Sequence, residues 1–215
     1  MDKKITAIAL RSVETGDYDK RVTLLSADEG KVYAVMRGVR KPTAKLKFAS
    51  QPFALCEYTI NETHGKNVVT GASPIEDMYG LCIDPEKYSA GALTAEIAEK
   101  ASDSIESSQL FILLLKTLKT LLLSETHSAL IVIKFVQKLL SVSGFVKPVK
   151  QMERAEINTP SALLDAVAYK RLDELDEVSA SPSIIKKSLK LICARYCSVY
   201  ETTLTSLAVY EKMIV

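Results

Sequence analysis

Strand and loop signals meet in one stretch, Lys31-Val32-Tyr33-Ala34-Val35-Met36-Arg37-Gly38-Val39-Arg40-Lys41-Pro42. Residues 31–37 have the composition of a β-strand, and the glycine and proline that follow mark an exposed loop. Residues 31–56 carry six basic side chains and no Asp or Glu, although Lys and Arg (28) and Asp and Glu (26) nearly balance over the chain. The six are Lys31, Arg37, Arg40, Lys41, Lys45 and Lys47. A local excess of cations on a sheet favours a surface that binds a polyanion.

The strand signals continue on both sides of this stretch. Five strand-like segments occur within about 70 residues, with short turns between most of them. They cover residues 5–13, 22–26, 31–37, 53–61 and 67–72. The longest gap, 38–52, is also the basic one, and five-stranded barrels of the oligonucleotide-binding (OB) type use such loops to hold nucleic acid. The pattern predicts an OB-fold barrel.

The hydrophobic period becomes helical after Pro85. Apolar residues recur at helical spacing, and two of the segments are apolar nearly all round, which indicates the centre of a bundle. The predicted helices are 86–101, 107–123, 125–142 and 183–210. Thr159 and Pro160 predict the start of a further short helix that ends near residue 170. We therefore predict an α+β protein with two domains, a nucleic-acid-binding barrel at 1–80 and a helical bundle at 81–215.

Composition limits the cellular setting. The amino terminus has no apolar core of a secretory signal, and Lys116 and Lys119 interrupt the richest apolar run, so no spanning helix is expected. The four cysteines lack a paired spacing, which suits a reducing compartment. We expect a cytoplasmic protein.

Two groups of residues are candidates for a DNA site. Basic side chains would neutralise phosphates, and aromatic rings would stack on bases unless they point into the barrel core. The basic candidates are Arg37, Arg40, Lys41, Lys45 and Lys47, extended by Lys20 and Arg21. The aromatic candidates are Tyr33 and Phe48, with Tyr58 as a third ring near the basic segment.

Lysines in the helical half suggest a second site. They interrupt the two most apolar helices and would border a groove for an acidic peptide tail with an apolar end. These candidates are Lys116, Lys119, Lys134 and Lys138. An equal alternative is the set on the last helix, Lys186, Lys187 and Lys190. The simpler interpretation of all these lysines is that they keep one face of an amphipathic helix exposed to solvent.

The sequence offers no constellation for bond chemistry. Gly30-Lys31 and Gly65-Lys66 lack the remaining residues of a phosphate-binding loop, and the two histidines are isolated. Asp17 and Asp19 suggest a cation site, but side-chain hydrogen bonds within a turn are the simpler explanation of them. Cys193 and Cys197 lie four apart, which fits two small side chains in a helix core better than a metal site with four ligands. We expect neither an enzyme nor a cofactor.

Seven ordered motifs in the first 80 residues resemble one family, the bacterial recombination mediator and DNA repair protein RecO. They are Ala9-Leu10-Arg11-Ser12, Gly16-Asp17-Tyr18-Asp19-Lys20-Arg21, Thr23-Leu24-Leu25, Glu29-Gly30-Lys31, Arg37-Gly38-Val39-Arg40-Lys41, Lys45-Leu46 and Gln51-Pro52-Phe53. Weaker similarity continues through Tyr88-Ser89-Ala90-Gly91 and Ser143-Gly144-Phe145.

The resemblance implies a function without catalysis. The family binds single- and double-stranded DNA, works with RecR, contacts the acidic tail of the single-stranded DNA-binding protein, helps RecA load, and anneals complementary strands near the nucleoid. Many members carry a four-cysteine zinc knuckle after the Gly-Phe pair, whereas residues 145–152 contain no Cys, so we expect no zinc. The missing knuckle keeps an alternative open, a protein-interaction scaffold whose barrel has little affinity for DNA.

Overall fold

A computed structural model of this protein describes residues 2–63, 65–145 and 157–214. Within these ranges five strands come first and seven helices follow. Short 3-10 turns lie at Phe48–Ser50 and Leu172–Glu177. This order confirms the predicted α+β class, with a barrel followed by helices.

The strands close into a barrel in the order β1-β2-β3-β5-β4. Their bounds are β1 Asp2–Thr15, β2 Asp19–Ser26, β3 Gly30–Met36, β4 Leu55–Thr63 and β5 Lys66–Glu76. Neighbouring strands run antiparallel except β3 and β5, which close the barrel in parallel at Val35 and Val68. The five-stranded closed sheet confirms the predicted OB-type barrel.

β1 is long enough to pair with two neighbouring strands. Residues 2–8 pair with β4 and residues 7–15 pair with β2, with a shift of register between Ala9 and Arg11. Such a bulge bends the strand, so one strand wraps round the barrel. Alternate residues of β2 and β3, including Val22, Leu24 and Met36, point into a core of their own inside the barrel.

The helices follow the predicted positions closely up to residue 170. Their bounds are α1 Gly80–Ile83, α2 Pro85–Ala101, α3 Ser107–Leu123, α4 Ser128–Val142, α5 Pro160–Tyr169, α6 Pro182–Val199 and α7 Thr205–Met213. The Thr159 side chain accepts a hydrogen bond from the Ala162 N–H, which confirms the predicted N-cap. α4 begins later than predicted because the non-helical His127 caps it, accepting from the Ala129 N–H through Nδ1.

The predicted single helix at 183–210 is wrong, since α6 and α7 are separate. Tyr200 ends α6, and Glu201 has a left-handed backbone with a φ of 48°. The Glu96 carboxylate of α2 then accepts from the N–H groups of Thr205 (3.0 Å) and Ser206 (2.8 Å), where α7 starts. Periodicity within one segment does not reveal a cap that another helix supplies.

The barrel and the helices share a second apolar core. Ile8, Leu25 and Leu55 from the strands lie in one buried cluster with the helical core. Phe53, just before β4, is fully buried beside α2, where its ring meets Tyr88 edge-on at 5.7 Å between centroids. No helix within the described ranges is both long and apolar enough to cross a membrane.

Candidate nucleic-acid interface

Residues 37–54, here called the basic loop, connect β3 to β4. The loop starts beside the β1–β2 turn: the Gly38 N–H donates to Asp19 Oδ1 at 2.7 Å, and the Arg40 N–H donates to the Tyr18 carbonyl at 2.9 Å. It ends at β1, where the Phe53 N–H donates to the Ala9 carbonyl at 2.8 Å. Both ends are therefore anchored. The Asp19 carboxylate thus links the β1–β2 turn to the basic loop and does not form a hydrogen bond with a described residue of its own turn.

Arg40 is the one predicted phosphate-binding residue with several protein partners. Its guanidinium lies 2.9 Å from the Glu14 carboxylate and donates to the carbonyls of Asp17 (3.0 Å) and Gly16 (3.4 Å). These contacts fasten the start of the basic loop to the β1–β2 turn. We expect Arg40 to shape the surface more than it binds phosphate.

The other cations of the basic loop remain open to solvent. Arg37, Lys41, Lys45 and Lys47 are exposed and make no ion pair with a described residue. Lys41 places its ammonium 5.3 Å from the centre of the Tyr18 ring, a cation–π contact. Because all four lie on one connected loop, their charges add along its path.

Lys31, the first of the six basic residues, is not part of this surface. Its ammonium pairs with the Asp103 carboxylate at 2.9 Å and contacts the Glu99 carbonyl. Glu99 lies in the last turn of α2, and Asp103 follows the end of that helix. This pair links the barrel to the helices. Residues 31–56, which contain no Asp or Glu, therefore hold one structural lysine, Lys31, and the exposed basic loop.

Lys20 and Arg21 point to opposite sides of β2, because side chains alternate along a strand. Arg21 is exposed and pairs with Val35, so it shares the outer face with Tyr33 two residues along β3. Lys20 pairs with the buried Met36 and is half-buried at the end of the barrel. Arg21 extends the cationic surface on the β2–β3 face, which OB barrels use for ligands.

The aromatic candidates separate into exposed rings and one core ring. Tyr33 is 54% exposed and Phe48 is 40% exposed, so both are accessible to a base. Tyr58 is buried and donates its hydroxyl to the Ala49 carbonyl at 2.9 Å, which removes it from the candidates. Sequence reasoning missed Tyr18, which is 53% exposed in the β1–β2 turn. The sequence signal for this exposed ring was its position in a turn, between Asp17 and Asp19.

The four lysines proposed to border a peptide groove do not form one set. Lys116 and Lys138 are exposed, and Lys119 pairs with Glu76 at 2.5 Å. The expectation that Lys134 borders a groove is wrong. Lys134 is 3% exposed and donates to the carbonyls of Val167 and Ala168, both at 2.9 Å. An ammonium that satisfies the last carbonyls of α5 holds two helices together and is not at a groove rim.

The four cysteines are free thiols that are buried or half-buried. Cys193 is buried in the helical core, as predicted, and burial raises the pKa of its thiol to about 12. No three His, Cys, Asp or Glu side chains of the described residues are grouped to hold a metal ion. His64 and residues 146–156, which include most of the segment where we expected no zinc knuckle, lie outside the described residues. The arrangement suits charge contacts with a backbone and stacking on rings.

Comparison with known proteins finds similarity that is centred on the amino-terminal part. Residues 1–78 match the family model described as Recombination protein O N terminal. The DNA repair protein RecO of Heliobacterium modesticaldum is 35% identical over 109 residues, 51% of this chain and 40% of the relative. That of Nocardioides sp. is 30% identical over 142 residues, 65% of this chain and 58% of the relative. That of Bacillus subtilis is 30% identical over 119 residues, 55% of this chain and 47% of the relative. The chain spans about half the length of these curated relatives.

Proposed function

We propose that this chain is a DNA repair protein of the RecO type whose barrel binds single- and double-stranded DNA, because residues 1–78 match the family model described as Recombination protein O N terminal. The observation that carries the proposal is the basic loop, which presents four exposed cations without carboxylate partners among the described residues. Cations along a groove neutralise phosphates and release counterions, which favours binding of any sequence. The exposed rings of Tyr33 and Phe48 supply stacking.

The wider role follows from the family resemblance. We propose that the chain works with RecR, contacts the acidic tail of the single-stranded DNA-binding protein, and so assists RecA in loading onto coated strands. Annealing of complementary strands is part of the same proposal, since a surface that neutralises phosphates lowers the repulsion between strands. These are binding events in the bacterial cytoplasm, at the nucleoid, and require neither catalysis nor a cofactor.

Salt-dependent DNA binding tests the proposal directly. A labelled single-stranded oligonucleotide is titrated with protein at several salt concentrations, and anisotropy gives the affinity. With four cations engaged, log affinity should fall against log salt with a slope of about −3. The alternative function, a protein-interaction scaffold, predicts no salt-sensitive binding, and that result would overturn the DNA-binding proposal.

The contacts of the basic loop determine which of its residues should be substituted to test DNA binding. Arg40 should be left in place because its loss would disturb the loop itself. The triple variant Arg37→Glu, Lys41→Glu and Lys45→Glu should abolish DNA binding with little change in melting temperature. A matched triple on exposed helical lysines, Lys116→Glu, Lys138→Glu and Lys187→Glu, changes net charge equally. It should retain most of the affinity; equal loss in both triples would point to net charge and not to the basic loop.

A further inference from the structure

An apolar groove adjoins the end of the basic loop. Its volume is about 580 Å³, and it lies between the 3-10 turn Phe48–Ser50, the end of β5 and the short α1. Phe48 and Tyr79 contribute aromatic rings to its lining, Pro52 and Met78 contribute apolar surface, and Lys47 contributes the cation. None of the DNA contacts described so far uses this groove beyond Phe48.

Both rings in the groove lack an aromatic partner. Tyr79 is 62% exposed, and within the described residues neither its ring nor that of Phe48 stacks on another ring. The Tyr79 hydroxyl likewise has no hydrogen bond to a described residue. Single exposed apolar residues are ordinary, but two unpartnered rings lining one depression form a surface suited to a flat ligand.

Phe48 is held rigidly. The two residues after it, Ala49 and Ser50, are fully buried, and the Tyr58 hydroxyl donates to the Ala49 carbonyl from inside the barrel. The Ser50 hydroxyl closes the turn by donating to the Lys47 carbonyl at 2.9 Å. A ring on a fixed turn loses little conformational entropy when a ligand packs against it.

Two carboxylates also line the groove, and each has a partner. Glu76 pairs with Lys119 at 2.5 Å, and Asp77 accepts the Tyr79 N–H at 2.7 Å. Asp77 keeps its negative charge, because a backbone N–H does not neutralise a carboxylate, and Lys47 is exposed and makes no ion pair with a described residue. Lys47 thus places one cation of the basic loop beside a largely apolar lining, an arrangement that suits a phosphate attached to a neutral aromatic base.

We propose that this groove receives an unstacked base of a single strand whose phosphates follow the basic loop. The proposal rests on the proposed function and extends it, since it assigns Phe48 and Tyr79 as a base-binding subsite where the loop ends. A base that enters the groove has left the stack of its own strand. A fully paired duplex cannot supply one without the cost of opening, so the subsite should favour single strands.

Strands with and without bases test the assignment. Anisotropy titrations compare an intact oligonucleotide with one of equal length whose central residues are abasic, for the wild type, Tyr79→Ala and Tyr79→Phe. The wild type should bind the intact strand about fivefold to hundredfold more tightly than the abasic strand, the range for loss of one stacked base. Tyr79→Ala should reduce this preference with an unchanged salt slope, and the part that remains is the stacking on Tyr33 and Phe48. Tyr79→Phe, which keeps the ring, should retain the wild-type preference.

The control is Tyr169→Ala, which removes a ring with 54% exposure at the end of α5. It should behave as the wild type. If the wild type binds DNA with the expected salt slope but Tyr79→Ala weakens intact and abasic strands equally, or neither, the base-binding subsite is overturned while the proposed function stands. If the wild type shows no salt-sensitive binding at all, the proposed function has failed.

Discussion

Arg37 and Arg40 lie in one basic loop, but only Arg40 has protein partners. Its contacts with Glu14 and with the carbonyls of Asp17 and Gly16 join two turns of the barrel. Arg37 is exposed, without an ion pair to a described residue. Residues of the same type, three positions apart, therefore have separable effects on stability and on binding.

We expect Arg40→Ala to lower the free energy of unfolding by about 1–2 kcal/mol, because charge-assisted hydrogen bonds at a partly exposed site contribute about that much. Arg37→Ala should leave stability unchanged and reduce the magnitude of the salt slope for single strands by about 0.7. Urea unfolding and anisotropy measure the two effects. Equal stability of the two variants would show that the contacts of Arg40 are incidental.

Lys134 carries the clearest dependence on pH. Burial, with the nearby charge of Lys138, lowers the pKa of its ammonium to about 8, below the usual 10.5. Between these two values the unfolded chain binds more protons than the folded chain, so the contribution of Lys134 to stability rises with pH across that window. Below pH 8 both states are protonated and the contribution is constant.

Unfolding of the wild type and of Lys134→Met should therefore diverge with pH. From pH 8 to 10.5 the difference should shift in favour of the wild type by at most about 3 kcal/mol. Lys116→Met, on an exposed lysine, should show no such shift. A flat difference would indicate that the Lys134 ammonium is stabilised by its two carbonyl partners enough to keep the usual pKa.

Residue identity alone left these roles undecided. The sequence placed Arg40 and Lys134 among candidate contacts for ligands and counted Lys31 in the basic segment, and the structure shows each with protein partners. Those partners, Asp103, Glu14 and the end of α5, lie far away in the sequence or on an adjacent strand. Local composition identifies a cationic segment, but it does not show which of its basic side chains form contacts within the folded protein.

At the scale of elements, the sequence predicted strands and helices well where one periodicity continues. It failed at α6 and α7, because the apolar stripe continues past the break at Glu201. The break is supported from α2, where the Glu96 carboxylate caps α7. Burial acts to raise the pKa of Glu96, but the N–H groups of Ser206 and Thr205 outweigh it and hold the pKa below its usual value.

Glu96→Ala should destabilise the fold by about 1–2 kcal/mol, the usual cost of losing a helix cap. Because the folded pKa is lowered, the stabilisation is complete above the usual value of 4.5 and is lost as pH falls through the folded pKa. The wild type and the variant should thus converge in acid. Glu99→Ala, one turn away on α2, is the control, and an equal loss of stability there would contradict the capping role.

At the scale of the whole molecule, the barrel meets the helices at a glycine. A Cβ on Gly91 of α2 would lie 2.9 Å from Phe53 Cζ, and two further ring atoms would lie within 3.3 Å. Phe53 is buried and cannot swing aside. The close approach of α2 to the barrel therefore depends on the missing side chain.

Overpacking should cost Gly91→Ala about 1–3 kcal/mol, against a gain of about 0.5–1 kcal/mol that alanine normally brings to a helix, so we expect a net destabilisation of up to about 2 kcal/mol. In a Phe53→Leu background the same substitution should cost much less. A double-mutant cycle by urea unfolding measures this coupling. Additive effects would mean that the contact at Gly91 does not limit the approach of the helix.

The shared core at this junction has a practical consequence for experiments on isolated fragments. A fragment that stopped at residue 78 would leave Ile8, Leu10, Leu25, Phe53 and Leu55 without their helical cover. Water-facing apolar patches of that kind promote self-association. Biochemists who trim the chain to its amino-terminal part should therefore expect poor solubility, and a useful truncation has to retain α2 and α3.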